Sequence, residues 1–278
     1  MADPTQDEID ASRMPLLDHL IELRNRLIIS LSALLVAFLI CYQFAGRIYG
    51  WLLLPMVTAL GERAAERKLI FTAPTEAFFT YVKVSLWAAA LIAFPIIAQQ
   101  IWKFVAPGLY RHERKAFLPF LLATPILFLM GTGMVYFFVM PTALKFFLSF
   151  EQTGGAGMLP IVAETRVEQY LSFAMSLIFA FGIAFQMPVL LSLLVRVGIL
   201  SADQLASKRR YAIVLIFVLA AILTPPDPIS QTTLAAPMIV LYEVSVFAAR
   251  RIERNRAKEQ ARAEEAEKTA GGDEVTPG

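Results

Sequence analysis

The sequence predicts an all-α membrane protein with six transmembrane helices, the last two short. Three observations lead there. First, 57% of the 278 residues are hydrophobic and only 17% are charged, with a mean hydropathy of +0.60. Second, the charges cluster and leave four uncharged runs, residues 27–46, 84–102, 116–144 and 169–195, of 20, 19, 29 and 27 residues. A helix needs about 20 apolar residues to cross the hydrocarbon core, so each run is long enough to span it. Third, a shorter apolar pair, 211–223 and 229–249, flanks the break Thr224-Pro225-Pro226-Asp227-Pro228.

The elements follow in order. Residues 1–12 are acidic and polar and lack the basic start and early apolar core of a cleaved secretory signal, so the first span is expected to stay in the mature chain. Residues 12–27 read as an amphipathic helix, with Leu16, Leu20, Leu23 and Leu27 at helical spacing, lying along the interface and running into the first span, 27–45. Its single cysteine, Cys41, excludes an internal disulfide. Residues 47–77 read as a loop with Gly61, Pro74 and a charged cluster. The second span, 78–102, carries Lys83 one turn inside and a kink-forming Pro95. A tight basic loop, 103–115, follows, with Glu113 its only acid.

The third span, 116–140, is interrupted by Pro119, Pro125, Gly131 and Gly133, and a loop over 141–168 leads to the fourth, 170–195, with Gln186 near its middle. The fifth, 211–223, has only 13 residues, roughly 20 Å of helix against a core about 30 Å thick. Together with the sixth, 229–249, it implies a locally thinned bilayer; a re-entrant hairpin is the rival reading and leaves the same charge pattern. Residues 1–250 thus form the membrane domain, and 251–278 a charged tail, partly helical and mostly disordered.

Six spans place 18 of the 25 Lys and Arg residues on the side of both termini, six on the other, and Lys83 within a span. The positive-inside rule then makes both termini cytoplasmic. No internal repeat is apparent, which speaks against an inverted-repeat transporter.

Two acids stand out at the basic edges. Glu22 lies in His19-Leu20-Ile21-Glu22-Leu23-Arg24-Asn25-Arg26-Leu27, four residues from both Asp18 and Arg26. The ordinary reading is a solvated ion pair along a helix. The sharper one is a carboxylate that receives an external cation. Glu113 reads either as local charge balance or as a second such acceptor, and two carboxylates on one scaffold can clasp a pair of guanidinium groups. His19 and His112 sit near these acids, but no metal-ligand motif surrounds them, and no nucleophile pair or phosphate loop appears; no metal or cofactor is expected. Within the spans, Glu243, about two turns from Arg250, is read as snorkelling toward the cytoplasm or as a buried functional acid. Thr224 and Gln231 are candidates for bonding a partner helix, and Asp227 for capping the sixth helix or for function.

Several stretches resemble the TatC family, the polytopic core subunit of the twin-arginine protein translocase. They are His19-Leu20-Ile21-Glu22-Leu23-Arg24-Asn25-Arg26; Phe104-Val105-Ala106-Pro107-Gly108-Leu109-Tyr110-Arg111-His112-Glu113-Arg114; Ser172-Phe173-Ala174-Met175 with Ala180-Phe181-Gly182-Ile183-Ala184-Phe185-Gln186-Met187-Pro188-Val189; Leu223-Thr224-Pro225-Pro226-Asp227-Pro228-Ile229-Ser230-Gln231; and Ile239-Val240-Leu241-Tyr242-Glu243. In order and spacing they cover roughly residues 14–250. The resemblance implies a cup-shaped receptor in the bacterial cytoplasmic membrane that recognises signal peptides bearing consecutive arginines on folded precursors. It also implies multimeric assembly with TatB and TatA, with no catalytic step of its own and with the proton-motive force driving transport. Family positions for signal recognition match Glu22 and Glu113, with Leu20, Arg24, Phe104, Leu109 and Tyr110 as neighbours; the polar partner-helix site matches Thr224 and Gln231. The family often has Glu at the position of Gln186, so a role there that depends on charge is lost in this chain. A secondary transporter of a small solute, with Gln186 as its most central polar group, is the alternative, and a metalloenzyme built on His19 and His112 a third.

Overall fold

The computed structural model describes residues 6–105, 114–152, 159, 163–223 and 228–272. The first helix begins well before the apolar run: α1 (Gln6–Gln43) is continuous from the polar N-terminal stretch through the first span. Residues 16–27 contain neither Gly nor Pro, so nothing divides the amphipathic segment from the span. Phe44 then makes a turn, and α2 (Ala45–Leu60) occupies much of what reads in sequence as a loop. Gly46, Gly50 and Pro55 are loop signals, but residues 45–60 carry a single charge, and their burial potential overrides them. Gly61 stops the helix at φ +58°, a conformation that favours glycine, and a 3₁₀ turn covers Gly61–Glu66.

The second span is α3 (Glu76–Val105), with Pro95 inside it. The third runs farther than its predicted end: α4 (Arg114–Met134) passes through a π-helical turn, Val135–Val139, into α5 (Met140–Leu148). Pro141 in the first turn of α5 lacks an N–H and its ring would crowd the carbonyl of Phe137, and the widened turn precedes it. The fourth span is two helices, α6 (Val167–Ala184) and α7 (Met187–Val197), divided at Phe185 and Gln186 just before Pro188. After α8 (Ala202–Ser207), which opens with a reciprocal capping box between Ser201 and Gln204, comes α9 (Arg209–Leu223).

The last helix, α10 (Pro228–Gly272), has 45 residues. It carries the sixth span and continues through the charged tail, where mostly disorder was expected; residues 251–268 are dominated by Ala, Glu, Arg and Lys, which are strong helix formers.

Among the described residues, five stretches are long and apolar enough to cross a membrane: Leu17–Gln43, Glu76–Phe104, Phe120–Leu148, Val167–Val197 and Gln231–Lys258. The stretch read as the fifth span, 211–223, lies in the 15-residue helix α9, which is too short to be one of these five. The chain is an all-α polytopic membrane protein, and no strand occurs among the described residues.

Two compact units divide at Phe179 and Ala180, within α6. In the first, α1 crosses α3 on small residues: Ala37 and Cys41 of α1 pack against Ala89 and Ala93 of α3, all nearly fully buried, with Leu34, Phe38 and Ile97 around them. Lipid tails are as apolar as leucine, so association in a membrane depends on close backbone approach, which small side chains one turn apart permit. Farther along α3, Phe94 stacks on the buried Phe128 of α4 with centroids 3.6 Å apart, and Trp102 Nε1 donates to Thr124 Oγ1 at 3.0 Å.

At the start of α3, two connecting segments are tied together. Ile70 pairs with Arg166 in a single parallel bridge. Glu151 accepts from Arg67 Nη2 at 2.7 Å and Arg63 Nη1 at 3.4 Å through one oxygen, and from the Ala163 N–H at 3.0 Å through the other. Glu76 accepts from the Thr72 N–H at 2.8 Å, Arg166 donates to the Thr72 hydroxyl, and Lys83 pairs with Glu168.

In the second unit α10 packs against α7, α8 and α9. Leu234, Ala235, Met238, Leu241, Tyr242, Val246 and Ala249 form its buried stripe at helical spacing. The Tyr242 hydroxyl donates to the Leu205 carbonyl at 2.7 Å, and Glu253 accepts from the Ala202 N–H at 2.8 Å, anchoring α8.

Candidate functional site

Glu22 and Arg26 sit one turn apart on α1, in the favourable order of acid before base. Their side chains meet at 3.1 Å, each about one-third exposed (32% and 30%). Arg26 is not spent on this contact alone. Its Nη1 donates to Gln100 Oε1 of α3 at 3.2 Å, while its Nη2 holds Glu22. Gln100 is only 6% exposed. One turn beyond Gln100, Phe104 stacks on His19 of α1 with centroids 4.4 Å apart and planes within 20°. His19, Glu22 and Arg26 therefore lie along one side of α1, against the last turns of α3.

The ordinary reading of Glu22, an ion pair along its own helix, describes its contact in the structure. The arrangement still has the attributes of a cation acceptor: one Glu22 oxygen faces Arg26, the carboxylate is partly open to solvent, and the aromatic pair stands beside it. Leu20 and Leu23 are exposed, at 59% and 42%, rather than packed against a groove wall. Arg24 points elsewhere and donates to Asn25 Oδ1 at 3.3 Å. Phe104 joins the cluster through His19. Glu113, Leu109 and Tyr110 lie outside the described residues. Gln100 went unnoticed in the sequence because it carries no charge within an uncharged run; the signal available was the polar pair Gln99-Gln100 near the end of a span.

The remaining candidates belong to the second unit. Gln186 precedes α7 at the division of the fourth span, and its Nε2 donates to the Gly182 carbonyl at 3.4 Å. Gln231 Nε2 donates to the Phe217 carbonyl at 3.0 Å, joining α10 to α9. Glu243 is about half exposed and pairs with Arg209, at the start of α9, at 2.8 Å. Thr224 and Asp227 lie outside the described residues. His19 is taken up by Phe104, and among the described residues no group of three His, Cys, Asp or Glu is placed to hold a metal.

A family model described as Sec-independent protein translocase protein (TatC) matches residues 18–237, from within α1 to the first turns of α10. The chain belongs to the TatC family. The TatC protein of Magnetococcus marinus is 50% identical over 255 residues, covering 92% of this chain and 90% of that one. The TatC protein of Escherichia coli K12 is 39% identical over 236 residues, covering 85% and 88%. A solved structure of a twin-arginine translocase receptor, TatC in DDM, superposes with a TM-score of 0.71 at 42% identity, over 83% of this chain and 99% of that one. Membership makes the protein an integral membrane component of Sec-independent protein translocation, and protein transport replaces the small-solute alternative.

Proposed function

We propose that this TatC-family chain is the signal-peptide receptor of its translocase, in the bacterial cytoplasmic membrane with both termini in the cytoplasm. Glu22 and Glu113 accept the consecutive arginines of a precursor's signal peptide, and Leu20, Arg24, Phe104, Leu109 and Tyr110 contact the residues around them. The chain itself catalyses no reaction, and the proton-motive force drives transport. With TatB and TatA it forms a multimeric translocation site, in which Thr224, Gln231 and Gln186 meet the partners' single spans; Asp227 and Glu243 support the turn and the last helix. The observation that carries this reading is the one-third-exposed Glu22 side chain, one turn from the His19–Phe104 stack, where α1 meets the end of α3. The solved neighbour described as a twin-arginine translocase receptor supports it.

Photocrosslinking to a signal peptide tests the reading. Crosslinks near Phe104 are expected with an Arg-Arg peptide, and a strong reduction with its Lys-Lys counterpart or with Glu22→Ala combined with Glu113→Ala, because a bidentate guanidinium–carboxylate contact is lost either way. Unchanged crosslinking in both cases would falsify the receptor assignment.

A further inference from the structure

Arg26 already holds one of the two Glu22 oxygens that an incoming guanidinium would need for a bidentate contact. It is itself a guanidinium, and its Nη2 lies 3.1 Å from Glu22 Oε1. Its other terminal nitrogen already has a second acceptor, Gln100 Oε1 at 3.2 Å, on a side chain that is 6% exposed and fixed on α3. A carboxylate awaiting a cation would otherwise stay fully hydrated or attract any neighbouring lysine; here it is held by a tethered surrogate. The surrogate contact is weak, as befits a partly exposed pair at i,i+4, whereas Gln100 remains as an acceptor after Glu22 changes partners.

Resting on the receptor reading above, we infer that Arg26 is an internal competitor for the signal-peptide site and that Gln100 is a positioning residue that retains Arg26 when Glu22 is handed to the incoming arginine. Binding is thus an exchange of one guanidinium for another. Glu22 is never left bare, and a peptide must offer a better fork than Arg26 does. A lysine, with a point charge and no fork, displaces Arg26 poorly. Arg26 therefore sets the threshold that excludes lysine, and Gln100 sets how easily that threshold is crossed.

The test is a double-mutant cycle on the full-length protein in lipid nanodiscs. It reads the Kd for synthetic Arg-Arg and Lys-Lys signal peptides, together with the thermal midpoint of each variant without peptide. Arg26→Gln removes the competitor and is expected to tighten the Arg-Arg peptide about threefold and the Lys-Lys peptide more, narrowing the ratio between them. Gln100→Met keeps the volume but withdraws the acceptor, and is expected to weaken the Arg-Arg peptide about threefold. In the Arg26→Gln background, Gln100→Met is expected to change Kd less than about 1.5-fold, because Gln100 acts only through Arg26. A merely structural Gln100 would weaken binding equally in both backgrounds, and that result overturns the inference; so does weaker Arg-Arg binding in Arg26→Gln, or an unchanged Arg-Arg to Lys-Lys ratio. Wild-type binding that Glu22→Gln does not weaken would instead remove the receptor reading, and the inference with it.

Discussion

The two ends of α3 handle charge in opposite ways. At its start, the Glu151 side chain is only 10% exposed and both its oxygens are committed, to two arginines and a backbone N–H, while Thr72, Glu76 and Arg166 interlock beside it. At its end, Glu22 keeps one arginine on its own helix, and both partners remain about one-third exposed. A carboxylate whose acceptors are all taken locks connecting segments together; one with a single weak partner can exchange it. The same residue type therefore serves as structure at one end of the helix and, under the proposed function, as a site at the other.

Neutralising each acid sharpens the contrast. Glu151→Ala leaves a partly buried arginine and a backbone N–H without their acceptor, and should lower stability by about 3 kcal/mol, read as a lower thermal midpoint in detergent. Signal-peptide binding at temperatures where the variant stays folded should be unaffected; a loss of binding there would erase the division of labour between the two ends. Between them lies the small-residue crossing, where Ala93→Leu should cost about 2 kcal/mol by forcing α1 away from α3 and should weaken peptide binding, because the crossing sets how Arg26 meets Gln100. An unchanged midpoint would show that the close approach is dispensable.

Nearer the open end, Trp102→Phe removes the indole N–H bond to Thr124 but leaves the threonine hydroxyl donating to Phe120, so a loss of about 0.5–1 kcal/mol is expected in chemical denaturation. The smallest effect belongs to Glu22→Gln. It should change stability by less than about 0.5 kcal/mol while reducing Arg-Arg peptide affinity more than tenfold, a split that calorimetry on the same preparation can measure. A large stability loss there would make Glu22 a second Glu151.

Hydropathy runs and charge clustering were enough to mark the long spans and the short α9, since a bilayer imposes length and apolarity on any helix that crosses it. They misplaced what burial decides. Residues 47–77 read as a loop on Gly61, Pro74 and the charged cluster, yet 45–60 are helical; the third span continues to Leu148 past Pro141, which a widened turn accommodates. The charged tail, read as mostly disordered, extends α10 to Gly272.

What the sequence by itself determined was the helical membrane class and the long apolar helices, with the short α9 beside them. These follow from composition and from residues close together in the chain. Only the tertiary structure decided that Arg26 has two acceptors, that His19 stacks on Phe104 and that Glu243 pairs with Arg209. Those contacts join residues 74, 85 and 34 positions apart, and no local spacing encodes which side chains meet when two helices cross.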